Sequence, residues 1–202
     1  MRDESVFRNS GGGRTLSGGE PLLQPAFSRE LLGRVSEAGI HTAVETAGNI
    51  PYAAFIQVLP YTRLFLYDLK LLDEQQHIRW TGVSNRAVLH NLTRLVRTRA
   101  EVIVRGPLLE GINDGDEFDA IADYVAAQMS VQELHILPYH TLGVGKYGQL
   151  GLDYTLAAQP EENQTEVERC RAYAEGKGLR VSVGGAGFSS KYKKNEKEQN
   201  AC

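Results

Sequence analysis

The feature that most constrains this chain is a regular alternation of short apolar runs with one-sided helical stripes. The runs fall at 14–16, 40–44, 64–67, 101–104, 133–137 and 179–183, and most are β-branched or leucine-rich. A turn or polar stretch follows each, and then a helical pattern, which is the signature of repeated βαβ units around a parallel sheet. Ser28 is expected to cap a helix whose Leu31, Leu32, Val35 and Ala38 share one face, and Gly39 suits the left-handed position that ends it. Asp116 stands before a second stripe of Phe118, Ile121, Ala122, Val125 and Ala126. Pro51, Asp73 and Asn85 read as helix starts, and a last helix over 164–177 stops at Gly178.

Composition sets the outer bounds. With 202 residues, 42% hydrophobic and 23% charged, the chain can bury one sizeable core. The pattern assigns 1–188 to that domain and leaves 189–202, SSKYKKNEKEQNAC, as a polar tail too poor in apolar residues to fold. A formal charge of -3 with both signs interspersed gives no reason to expect nucleic acid or an anionic membrane surface. No apolar run approaches the ~20 residues of a membrane helix, and MRDESVFRN lacks the apolar stretch of a signal peptide, so a cytoplasmic location is expected. The two cysteines, Cys170 in a helical pattern and Cys202 at the last position, argue against a disulfide framework.

In parallel α/β folds the residues that follow each strand gather on one rim and line the ligand site. Here those positions are polar: Glu20 in SGGE, then Glu45 and Thr46, Asp68 and Lys70, Arg105, and His140. Each alone is accounted for by solvation; the set is not. Paired Gly18 and Gly19 directly after a strand let a ligand approach the backbone more closely than a β-carbon would allow. Glu20 beside them could accept charge-assisted hydrogen bonds from a ligand ammonium. The letters LSGGE also resemble a signature of ABC-type ATPases, but no GxxxxGK[ST] loop accompanies them, and the run LFLYD ending at Asp68 comes too late to supply the metal-binding aspartate.

The ordered segments GGGRTLSGGEPLLQP, HTAVETAG, LFLYDLKLLD, TGVSNRAVLHNL, GPLLEGIND and ILPYHTLGVGKYGQLG resemble, over 7–183, the activating enzymes of glycyl radical enzymes. The family belongs to the radical S-adenosylmethionine (SAM) superfamily. The resemblance implies an α/β fold, a partial (β/α)6 TIM-like barrel of the radical SAM type, here without its first strand. It implies that Gly18, Gly19 and Glu20 receive the methionine ammonium, that Lys70 and Arg105 lie near the SAM carboxylate, and that His140 in LPYH lies beside the ribose and adenine. Glu45, Thr46 and Asp68 match a place where relatives hold a monovalent cation, with Glu45 standing where Asp is usual; a hard cation prefers such oxygen ligands.

The activity so implied is oxidoreductive. A reduced [4Fe-4S] cluster held by CxxxCxxC cleaves SAM to a 5'-deoxyadenosyl radical, which takes hydrogen from a glycine of the partner enzyme. The partners implied are a glycyl radical enzyme and an electron donor such as flavodoxin or ferredoxin. No CxxxCxxC occurs in this sequence, and neither Cys170 nor Cys202 has motif spacing. The expectation is therefore a chain lacking its cluster-binding N-terminus and inactive as it stands, since the cluster needs three thiolates. The alternative is a cluster-free remnant that only binds SAM or docks on a glycyl radical enzyme.

Overall fold

The computed structural model describes residues 12–128, 130–139 and 163–184. Six strands form a single sheet in sequential order, each parallel to its neighbour: β1 (Gly13–Leu16), β2 (His41–Thr46), β3 (Leu64–Asp68), β4 (Glu101–Leu108), β5 (Glu133–Pro138) and β6 (Arg180–Val183). The helices are α1 (Pro25–Glu37), α2 (Tyr52–Val58), α3 (Glu74–Thr81), α4 (Arg86–Leu95), α5 (Gly115–Ala126) and α6 (Gln164–Gly176). Among the described residues the sheet is open, with β1 and β6 at its margins. This is the α/β partial-barrel class expected. The tail 189–202 lies outside the described residues, and no described helix is long and apolar enough to cross a membrane.

Alternation along the strands divides the sheet into two faces. Val44, Phe65, Tyr67, Val102, Val104, Leu134 and Ile136 belong to the main core, where Leu32, Phe55, Leu92, Ile121 and Cys170 of the helices meet them. The opposite face carries a small apolar floor of Ala43, Leu64 and Ile103, with Leu66 packed against it. Continuing the same alternation, Glu45, Asp68 and Arg105 stand on that second face, beyond the floor and toward the carboxyl ends of the strands.

Two expectations need correction. Ser28 does not cap α1: the helix starts earlier, with Pro25 in its first turn, because proline's fixed φ suits that position and its missing N–H costs nothing there. The Ser28 hydroxyl instead donates to the Pro21 carbonyl at 2.7 Å. Second, Glu45, Thr46 and Asp68 close their strands and Arg105 lies within β4, three residues before its end, so none of them is a loop residue. Parallel pairing of Asp68 with Arg105 and of Arg105 with His135 keeps the backbone extended past the apolar run, so these side chains inherit the rigidity of the sheet. Gly39 does adopt the left-handed conformation, at φ +73°. Asp73 caps α3, accepting from the Gln76 amide at 2.7 Å.

Candidate functional site at the carboxyl rim

At the end of β1 the chain turns through Gly18, whose φ of +102° favours glycine, and then Gly19. A β-carbon at either would meet nothing within 4 Å, so the space beside this backbone is open. A groove of about 360 Å³ runs along the pair, walled by Leu16, Leu23 and Phe27.

Glu20 is employed within the fold. Its carboxylate accepts from the Leu22 amide (3.1 Å), the Thr46 hydroxyl (2.9 and 3.0 Å) and the Ala47 amide (3.0 Å). Thr46 in turn accepts from the Gly48 amide at 3.0 Å. A carboxylate offers about four lone-pair sites. Glu20 thus ties the glycine turn to the end of β2.

The remaining rim residues form one charged row. Ser17 donates to Glu45 Oε2 at 3.0 Å, and Arg105 Nη2 lies 2.6 Å from Glu45 Oε1. The same guanidinium donates to Asp68 Oδ1 through Nε (3.0 Å) and Nη2 (2.8 Å), and Lys70 Nζ stands 3.7 Å from Asp68 Oδ2. Two carboxylates are balanced by two cations. Burial pushes the Glu45 carboxyl up, but hydrogen bonding and charge from Arg105, with help from Ser17 and Lys70, outweigh it and hold the group below the usual carboxylate range. Burial likewise works against the Arg105 charge, and Glu45 and Asp68 more than restore it.

The structure therefore brings Glu20, Glu45, Thr46, Asp68, Lys70 and Arg105 to one end of the sheet with the glycine pair; His140 lies outside the described residues. At Glu45, Thr46 and Asp68 the carboxylate and hydroxyl oxygens already have partners within the chain. Arg105 already bridges the two carboxylates, and the Thr46 hydroxyl is engaged on both sides. Among the described residues no group of three or more His, Cys, Asp or Glu stands close enough to hold a metal ion. Of the two cysteines, Cys170 is fully buried in α6, with burial raising its thiol to about 12, and Cys202 lies outside the described residues. One residue missed in the sequence is His135. It is paired with Arg105 in register, is 2% exposed, and meets Glu133 Oε1 through Nε2 at 2.7 Å. Strand alternation puts Glu133 on the same face as His135, but nothing local in the sequence signals the cross-strand neighbour Arg105.

No family model matches the chain. It is 38% identical over 174 residues to the choline trimethylamine-lyase activating enzyme of Oleidesulfovibrio alaskensis, covering 84% of this chain and 56% of that protein. It is 36% identical over 185 residues to the pyruvate formate-lyase 2-activating enzyme of Escherichia coli, covering 92% and 63%. The chain thus spans little more than half the length of these curated relatives. Among solved structures, a domain of a pyruvate-formate lyase-activating enzyme from Bacteroides vulgatus superposes with a TM-score of 0.72 at 28% identity, covering 86% of this chain and 99% of that one. Streptococcus suis SuiB bound to S-adenosylmethionine, at 12% identity and a TM-score of 0.65, shares the fold.

Proposed function

This chain belongs to the activating enzymes of glycyl radical enzymes, within the radical SAM group, and from that premise we propose that its rim binds SAM in an enzyme that places a radical on a partner's glycine. The observation that carries the reading is the charged row of Glu45, Arg105, Asp68 and Lys70 beside an open glycine backbone. The methionine part of SAM presents an ammonium and a carboxylate close together, and a row of alternating sign is complementary to such a zwitterion.

In this reading Gly18 and Gly19 let the methionine end lie against main chain, and Glu20 fixes that turn to β2. Lys70 and Arg105 attract the carboxylate, Asp68 and Glu45 keep the guanidinium oriented, and His140 serves the ribose and adenine. A reduced [4Fe-4S] cluster would supply the electron that cleaves SAM. Among the described residues the one cysteine, Cys170, is buried in α6 away from the rim. An electron donor such as flavodoxin or ferredoxin and a glycyl radical enzyme are the partners proposed. The division into a domain over 1–188 and a polar tail over 189–202 is part of the same proposal.

A second reading, SAM binding or docking without radical chemistry, is favoured by the cysteine content alone. One experiment separates the two. The complete protein is treated anaerobically with iron, sulfide, reductant and SAM, mixed with a candidate glycyl radical enzyme, and examined by electron paramagnetic resonance. A carbon-centred radical on the partner is the expected result. SAM binding without any radical on any partner would favour the second reading.

A further inference from the structure

The segment GPLLEGIND has no part in the rim as described, yet the structure gives it one. Loop 69–73, which follows β3 and carries Lys70, is held by side chains from three later parts of the chain. Asn113, in the turn between β4 and α5, donates through Nδ2 to the carbonyls of Lys70 (2.9 Å) and Pro107 (2.6 Å), while its Oδ1 accepts from the Leu109 amide (2.8 Å). Asn85 donates to the carbonyls of Leu71 (3.1 Å) and Leu72 (2.7 Å). Glu117, in the first turn of α5, accepts from the amides of Leu72 and Asp73. From the sheet side, the Leu69 amide donates to the Arg105 carbonyl at 2.8 Å.

These contacts exceed what closing a loop requires. Asn85 and Asn113 are each 2% exposed, and burying an amide is unfavourable unless its hydrogen bonds are made. Asn85 precedes α4 without capping it, its side chain turned to the loop instead. Leu69 and Leu71 are buried on either side of Lys70, whose side chain is 38% exposed. A lysine stem has several free rotors, so its ammonium can be held at a fixed place only if its backbone does not move as well. Asn113 adds a second constraint: by binding the Lys70 and Pro107 carbonyls together, it joins the loop after β3 to β4, the strand of Arg105.

We propose that Asn113, assisted by Glu117, is a positioning residue that sets the Lys70 ammonium against the Arg105 strand for recognition of the ligand carboxylate. The inference rests on the rim being the SAM site. Its test is a double-mutant cycle on the full chain, with SAM affinity measured by isothermal titration calorimetry. Asn113→Asp keeps the acceptor for Leu109 but loses both donations to the Lys70 and Pro107 carbonyls, and it should weaken binding about tenfold. In a Lys70→Met background the same change should cost less than about twofold, because the group it positions is gone. Glu117→Ala, at a half-buried site, should show the same dependence on Lys70 with a smaller effect, and it serves if Asn113→Asp does not fold. Equal losses in both backgrounds, or no loss in either, would overturn the inference and leave the rim reading intact. If Lys70→Met alone binds SAM like the wild type, the rim reading fails and the inference falls with it.

Discussion

Replacing Glu20 with alanine separates two uses of one carboxylate. The structure gives Glu20 the amides of Leu22 and Ala47 and the hydroxyl of Thr46, before any ligand arrives. In Glu20→Ala the hydroxyl can rotate to another acceptor, but the two half-buried amides cannot move away. A donor left unsatisfied at such a site costs about 1–1.5 kcal/mol, so the loss should total about 2–3 kcal/mol. For a chain of this size that lowers the melting temperature by roughly 5–10 °C. Glu20→Gln keeps one acceptor oxygen and turns an NH2 group toward a donor, so it should fall about halfway. The assay is thermal unfolding by circular dichroism without ligand. If both variants melt within about 1 °C of the wild type while SAM affinity collapses, Glu20 is a ligand group and the clamp argument is wrong.

Three further outcomes follow from the same geometry. A β-carbon on Gly48 would lie 1.8 Å from the Tyr67 hydroxyl at φ +74°, so Gly48→Ala should cost about 3 kcal/mol or more. Part of that cost should be recovered in a double variant with Tyr67→Phe, which a comparison of urea midpoints would detect. Because Arg105 already neutralises Glu45 and Asp68, the wild-type melting temperature should be the same in potassium, sodium and tetramethylammonium chloride at equal ionic strength. Arg105→Gln, destabilised by about 2 kcal/mol, should instead recover in sodium or potassium; a wild type that itself responds to the small cations would show that the row holds a cation. The carboxyl of Glu45 is held below its ordinary value of 4.5, so its stabilising effect is complete above that pH and is lost as pH falls through the lowered value. Glu45→Gln should therefore melt below the wild type at pH 7, with the gap closing in acid; a gap that stays constant down to about pH 3 would contradict the ion pair.

The strands were legible because β-branched and leucine runs at this spacing have few alternatives, and all six appear in the sheet. Their ends were less so. Arg105, Glu45 and Asp68 are polar and read as loop, yet cross-strand pairing extends the ladder through them, and pairing is a property of the partner strand. The rim residues could be named from the sequence, but their mutual contacts could not. That Arg105 bridges Glu45 and Asp68 depends on registers that shift residue 68 against 105, which no local pattern encodes. Glu20 was visible as a carboxylate beside two glycines; its engagement by Thr46 and Ala47 came only with the fold. Asn113 gave no usable signal: an Asn in a turn usually serves its own backbone, and here it also serves a loop 43 residues earlier.

The central claim is that the carboxyl rim, and no other surface of this sheet, receives SAM. Amide hydrogen exchange of the full chain with and without saturating SAM tests it most directly. The account predicts slowed exchange at 17–20, 68–72 and 105–108, with the opposite end of the strands, around His41, Arg63 and Glu101, unchanged. Protection at that opposite end, or none at the rim under conditions where calorimetry shows binding, would contradict it.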